Sequence, residues 1–174
     1  MLKANRTILS LEFESNRIQD EGIFTMYEAL QETNSVLQFL GLNDNEMTGK
    51  CCKLLAKMFI SNQSLKTLHL AKNGLGGDGA LLLGEGIRMS RSIVNLDVSR
   101  NALGSRGIEK IFLGLKARPG KLGKPPVPGN DSLERLVARA NNIHDDVVEN
   151  IDELIMGHRC ANISLISSCL SNHR

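Results

Sequence analysis

The 174-residue chain has no Trp, one Tyr and five Phe. A core rich in aromatic side chains is therefore excluded, and the interior must be built from Leu, Ile, Val, Ala and Met. Charge of one sign is also lacking. Lys and Arg number 21 against 19 Asp and Glu, a formal net charge of +2. That balance excludes a strongly basic nucleic-acid binder and an acidic disordered tail. No apolar run approaches the roughly 18–20 residues of a membrane-spanning helix. The opening MLKANRTILSLEFE holds no apolar stretch long enough for a signal peptide. The four cysteines (Cys51, Cys52, Cys160, Cys169) follow no disulfide framework. These absences point to a cytoplasmic protein.

What the chain does have is self-similarity. ILSLEFESNRI (8–18), LQFLGLNDNEM (37–47), LKTLHLAKNGL (65–75) and IVNLDVSRNAL (93–103) share one template, apolar-x-x-Leu-x-apolar-x-x-Asn-x-apolar. LERLVARANNI (133–143) follows it with Ala138 at one apolar position. The starts at Ile8, Leu37, Leu65 and Ile93 lie 29, 28 and 28 residues apart, and Leu133 comes 40 later. After each template, apolar residues recur at helical steps of three and four, as in Ile23, Met26 and Leu30 or Ile108, Ile111 and Leu115. Asp20, Thr48, Asp78 and Ser105 stand where helix N-caps are expected. Each unit thus reads as strand, turn and helix.

With those five matched units the chain resembles leucine-rich repeat proteins of the long-repeat, ribonuclease-inhibitor-like class. The resemblance implies an α/β solenoid: a horseshoe with parallel strands on the concave face and helices on the convex face. It implies a structural ladder for Asn16, Asn45, Asn73, Asn101 and Asn141, and a non-enzymatic protein-interaction module with no cofactor. Stacking supplies the core that one unit cannot make alone. A second column (Asn5, Asn34, Asn62, Ser90, Asn130) precedes the strands as turn residues, and Asn162 echoes it. The array is expected over residues 1–156, in about five units. A basic, Pro/Gly-rich insertion at 116–132 is an extended loop that is either a flexible insertion or a docking segment. Residues 157–174 are an irregular tail or a degenerate sixth repeat. The chain opens in the middle of a unit, which suggests a piece of a longer array.

Several motifs carry less than they promise. Gly74-x-Gly76-x-x-Gly79 imitates a dinucleotide fingerprint, but Gly79 belongs to a repeat column with Gly22 and Gly107. His158, Cys160, Cys169 and His173 are zinc-competent in type but not in spacing. MLKANRTILSLEFESNRI is similar to a strand-opening segment of tropomodulins, which cap actin pointed ends, so a cytoskeletal role is one alternative. Ran GTPase-activating proteins share the repeat class and give a regulatory alternative, against which stands a final ANISLISSCLSNHR without any acid.

The outward strand positions carry the functional expectation. They are acidic in the first two units (Glu12, Glu14, Asp44) and basic in the last three (Lys72, Arg100, Arg135, Arg139). Parallel neighbours lie about 4.8 Å apart, so His69 and Asp97 are expected within reach of each other. Phe39 is the expected aromatic anchor. Phe39, Asp44, His69, Lys72, Asp97, Arg100, Arg135 and Arg139 are therefore the candidate contacts for a protein partner, with neither nucleic acid nor membrane insertion implied.

Overall fold

A computed structural model describes residues 4–30, 36–116, 129–144, 147 and 162–164. Asn34, most of the proline-rich insertion and the tail cluster of His158, Cys160, Cys169 and His173 lie outside the described residues, as does nearly all of the fifth helical segment. Strands β1 (Ser10–Glu12), β2 (Phe39–Gly41), β3 (Thr67–His69), β4 (Asn95–Asp97), β5 (Arg135–Val137) and β6 (Asn162–Ser164) form one parallel sheet in chain order. Helices α1 (Gln19–Leu30), α2 (Cys52–Ser61), α3 (Gly76–Met89) and α4 (Gly104–Leu115) alternate with the first strands, and a 3-10 turn at Gly49–Cys51 leads into α2. The chain is an α/β solenoid.

The template explains each strand. Its central Leu sits in register with its neighbours, Leu11 with Leu40, Leu68, Leu96 and Leu136. Leu40, Leu68, Leu96 and Leu136 are buried between sheet and helices, with the flanking Leu42, Leu70, Val98 and Ala138. Helix positions at steps of three and four meet them: Leu55 and Phe59, Leu83 and Ile87, Ile111 and Leu115. The first unit is covered on one side only, so Ile8, Leu11, Phe13 and Ile18 remain partly exposed.

The sharp turn after each strand is held by the asparagine column. Ser15, Arg17, Gln19, Asp44, Glu46, Lys72, Gly76, Arg100, Ala102, Gly104, Ala140 and Asn142 all have φ between 51° and 66°. Left-handed backbone costs a non-glycine residue about 1–2 kcal/mol. It also turns the flanking N–H groups toward a common point, where an acceptor can sit. The asparagine of the following unit supplies that acceptor. Asn45 Oδ1 accepts from Asn16 and Ile18 N–H at 3.0 and 3.2 Å. Asn73 Oδ1 does the same for Asn45 and Met47, and Asn141 Oδ1 for Asn101 and Leu103. Each amide nitrogen then donates backward and locally. Asn101 Nδ2 reaches Leu70, Val98 and Ser99 carbonyls at 2.9–3.0 Å.

This ladder corrects the expected helix caps. Asp78 and Ser105 lie inside the first turns of α3 and α4, whose preceding residues Leu75 and Leu103 make no side-chain cap. The initial N–H groups of Gln19, Gly76 and Gly104 are instead taken by the backbone carbonyls of Asn45, Asn101 and Asn141 in the next unit. Asp20 also lies within its helix, and its carboxylate accepts from Thr48 N–H and Oγ1 at 2.9 and 2.6 Å. Ser105 Oγ accepts from His144 N–H. Only Thr48 acts as a cap, accepting from Lys50 N–H. The second column behaves as expected where it is described. Asn62 Oδ1 accepts from Ser64 and Leu65 N–H, and Asn130 Oδ1 from Ser132 and Leu133 N–H. Asn162, which echoes the column, opens the sixth strand, as a degenerate sixth repeat would, and pairs there with Arg135.

Glycine sets the helix spacing. A Cβ on Gly84 would lie 2.5 Å from the Lys110 carbonyl oxygen, and one on Gly114 would strike the Gly84 carbonyl. A Cβ on Gly86 would lie 2.6 Å from the Ala56 Cα. Strands stack about 4.8 Å apart while helices normally pack at 8–10 Å, and that mismatch bends a solenoid. Backbone-to-backbone approach at these glycines lessens the mismatch between α2, α3 and α4.

Cys51 and Cys52 are free and buried in the core. Hydrogen bonding with Cys52, burial and the nearby Asp20 charge push the Cys51 thiol well up from its ordinary value. It is thus a packing residue, not a nucleophile. For Asp20, burial opposes ionisation, but the hydrogen bonds from Thr48 outweigh it and hold the carboxyl below its ordinary 3.8.

Three outcomes follow for stability. Asn101→Ala strands a buried turn N–H and carbonyls, at about 1–3 kcal/mol per unsatisfied group. It should lower unfolding stability in urea by about 3 kcal/mol, whereas Asn16→Ala, at the exposed end of the ladder, should cost under about 1 kcal/mol. Gly114→Ala should cost about 1–3 kcal/mol by overpacking, while Gly74→Ala, whose nearest neighbour would be 3.4 Å away, should be close to neutral. Asp20 has a depressed folded pKa, so its stabilisation is present above about pH 3.8 and fades as pH falls through the folded value. Asp20→Asn should therefore be less stable than the parent at pH 7, with the gap narrowing as pH falls below the ordinary carboxylate value in chemical denaturation.

Candidate protein-interaction face

Pairing continues past the three-residue strands. Phe13 and Ser15 N–H donate to Gly41 and Asn43, Leu42 and Asp44 to His69 and Ala71, and Leu70 and Lys72 to Asp97 and Ser99. Val98 and Arg100 N–H donate to Val137 and Arg139. Because side chains alternate along a strand, this register aligns outward residues in rows across the concave face. One row is Ser10, Phe39, Thr67, Asn95 and Arg135; the next is Glu12, Gly41, His69, Asp97 and Val137. The third is Glu14, Asn43, Ala71, Ser99 and Arg139, followed by the turn residues Ser15, Asp44, Lys72, Arg100 and Ala140.

All eight expected contacts lie on this face. Asp44, Lys72, Arg100, Arg135 and Arg139 are exposed, and Phe39, His69 and Asp97 are half-buried. Phe39 does not stand free as an exposed anchor. Its ring meets the His69 ring edge-on, with centroids 5.0 Å apart and planes at 80°. It also leans over Gly41, where an added Cβ would lie 3.4 Å from Phe39 Cε1 and 3.5 Å from Glu12 Cγ. The lack of a side chain at Gly41 lets the ring lie down and reach His69.

His69 and Asp97 are neighbours across the sheet, as expected. The two are paired in register, but Asp97 Oδ1 turns back to accept from Ser99 N–H at 2.9 Å. The imidazole is engaged by Phe39. A nearby backbone donor thus engages the carboxylate, and strand register alone does not decide side-chain partners.

Sequence reasoning missed the floor of the face. Asn43 Oδ1 accepts from Ala71 N–H at 2.8 Å, and Ser99 Oγ from Arg139 N–H at 3.2 Å. These small residues tie neighbouring turns together. Their signal was a column of small side chains between the charged turn residues and the strand. Asn95 Nδ2 donates to Thr67 Oγ1 at 3.1 Å, fixing the opposite border. Beyond the acidic end, Arg17 and Glu46 form an exposed pair at 3.4 Å, and Ser15 Oγ donates to Asp44. Among the described residues, no cluster of three or more His, Cys, Asp or Glu side chains is arranged to hold a metal ion. Nor is any described helix long and apolar enough to cross a membrane.

Comparison with known proteins agrees with this architecture. The Leucine Rich repeat family model matches residues 4–26, 61–84 and 90–112. Ribonuclease inhibitor of Sus scrofa is 37% identical over 68 residues, 39% of this chain and 15% of that protein. NACHT, LRR and PYD domains-containing protein 9B of Mus musculus is 38% identical over 69 residues, 40% of this chain and 7% of that protein. The chain thus matches only a small part of these relatives. Among solved structures, the leiomodin-1 actin-binding site 2 superposes with a TM-score of 0.70 at 17% identity, covering 91% of this chain and 84% of that one. The tropomodulin C-terminal domain from Caenorhabditis elegans gives 0.67 at 15% identity, with 91% and 88% covered. At such identities the likeness is one of fold. Leucine-rich repeats are protein-interaction modules, and the repeat register, the asparagine ladder and the matched segments agree in giving this chain the leucine-rich repeat solenoid fold.

Proposed function

We propose that the chain is a non-enzymatic interaction scaffold that works in the cytoplasm and holds a protein partner on its concave face. The observation that carries this reading is the Phe39–His69 pair, half-exposed between an acidic and a basic end of one sheet. An aromatic fixed by its neighbours loses little freedom on binding, and such residues supply much of an interface's energy. The flanking charges orient the encounter. The free, buried Cys51 and Cys52 accord with a reducing setting.

A photo-crosslinking amino acid placed at Phe39 tests the face directly, with Phe24, exposed on α1, as the convex control. A partner should crosslink from position 39 and not from 24, and Phe39→Ala should weaken its binding by about tenfold or more. Equal crosslinking from both positions, or unchanged affinity of Phe39→Ala, would refute the concave-face reading.

A cytoskeletal role is the second reading. It is favoured by the likeness of residues 1–18 to tropomodulin repeats and by the superposition on a leiomodin domain named for actin binding. Elongation of actin filaments from their pointed ends decides it. Slowed elongation in the presence of the chain supports this role, and an unchanged rate removes it.

A further inference from the structure

The concave face is shaped for one kind of ligand. Asn43, Ala71 and Ser99 form a floor of small side chains. One border is made by Phe39 lying over Gly41, by His69 and by Asp97; the other is made by Asp44, Lys72 and Arg100. Three residues separate the two borders along each strand, roughly 10 Å at 3.3 Å per residue, and the border side chains narrow that distance. A helix, 10–12 Å across with its side chains, is too wide to lie between them. An extended chain is not.

The floor offers little to a ligand's backbone. Asn43 Oδ1, Ser99 Oγ and Asp97 Oδ1 already accept from Ala71, Arg139 and Ser99 N–H. Discrimination must then come from the ends and the borders. Glu12, Glu14 and Asp44 mark the β1–β2 end. Lys72, Arg100, Arg135 and Arg139 mark the β3–β5 end, with Asp97 the acid among them. The two ends adjoin at Asp44 after β2 and Lys72 after β3, and the whole face from β1 to β5 spans four strand spacings, roughly 19 Å. About six residues of extended chain cover that distance at 3.3 Å each.

We propose that the trough takes an extended protein segment laid across the strands, with a basic residue over Glu12, Glu14 and Asp44 and acidic residues over Lys72, Arg100 and Arg139. An apolar side chain between them rests on Phe39 and His69. The proposal rests on the concave-face reading and adds the conformation and charge order of the bound segment. Strand addition is not involved, since the trough lies on the face of the sheet and not at its edge.

Fluorescently labelled peptides test the charge order. The probes are Lys-Lys-Ser-Phe-Ser-Glu-Glu, its reversed sequence, and the alternating Lys-Glu-Ser-Phe-Ser-Lys-Glu of the same composition, with an all-acidic peptide as a fourth. At low salt at least one polarised peptide should bind fivefold or more tighter than the alternating one. The double variant Lys72→Glu/Arg100→Glu should abolish that preference, while Lys53→Glu/Lys57→Glu on the convex helix α2 should leave it intact. Equal affinity for polarised and alternating peptides overturns the proposal, and so does a preference that survives Lys72→Glu/Arg100→Glu. An all-acidic peptide that binds as tightly as the polarised ones makes the basic end a plain polyanion site and also overturns it. Absence of binding at millimolar peptide counts the same way. Circular dichroism of each variant confirms that the fold is kept. If position 39 crosslinks a partner while the peptides show no order preference, only this inference fails and the concave-face reading stands.

Discussion

Everything in this chain depends on one exchange between neighbouring units: the asparagine amide of each repeat fills the left-handed turn of the repeat before it. The turn is strained, with φ above 50° at residues such as Arg17, Glu46 and Ala102. That strain is tolerable because the same geometry aims two N–H groups at one acceptor. Asn45, Asn101 and Asn141 are almost wholly buried, so water cannot replace the amide. Removing it leaves a turn that is both strained and unsatisfied. Stability is therefore shared between neighbours and not contained within a unit, as expected of a solenoid. Asn16 shows the same logic in reverse. It is exposed, and its Nδ2 donates to Glu14 within its own unit.

Much of the fold was legible because the ladder uses one residue type at one spacing. Asn45, Asn73, Asn101 and Asn141 recur with Leu40, Leu68, Leu96 and Leu136, and together they fix strand position, register and burial. The helix starts were less legible for a specific reason. Asp20, Asp78 and Ser105 are good cap residues locally, but the competing acceptors are backbone carbonyls 25 to 37 residues from the helix starts, at Asn45, Asn101 and Asn141. A local capping rule has no access to a partner in the next repeat. Asn162 was legible in part: it echoes the turn column in sequence, and strand pairing makes it the first residue of β6, opposite Arg135.

The interaction face divides along the same line. Which residues point outward, and that the face is acidic at one end and basic at the other, followed from alternation and the repeat. Side-chain partnership did not. Register put His69 beside Asp97, yet the carboxylate found Ser99 N–H two residues away and the imidazole found Phe39. A backbone donor at fixed distance two residues away is a ready partner for a carboxylate. Gly41 mattered for the opposite reason. Its missing side chain allowed Phe39 to fold down, and nothing in the repeat template marks that position as a hinge for the neighbouring ring.

The division between ladder and face has a consequence for how such a surface can change. The turn residues Asp44, Lys72 and Arg100 occupy left-handed backbone, but their strain is offset by the asparagine of the next unit and not by their own side chains. Charge at these positions is thus nearly uncoupled from the core, and distant sites of this kind add independently. Asn43 and Ser99 are different. Each holds a neighbouring turn through its side chain while also forming the floor, so altering either shifts the spacing of adjacent units as well as the surface. Asp97 joins them by binding Ser99 N–H. Binding specificity is therefore most freely rewritten along the border of turn residues and at the charged ends, where a substitution changes potential without moving backbone. The floor, by contrast, keeps the shape that any ligand of the face must meet.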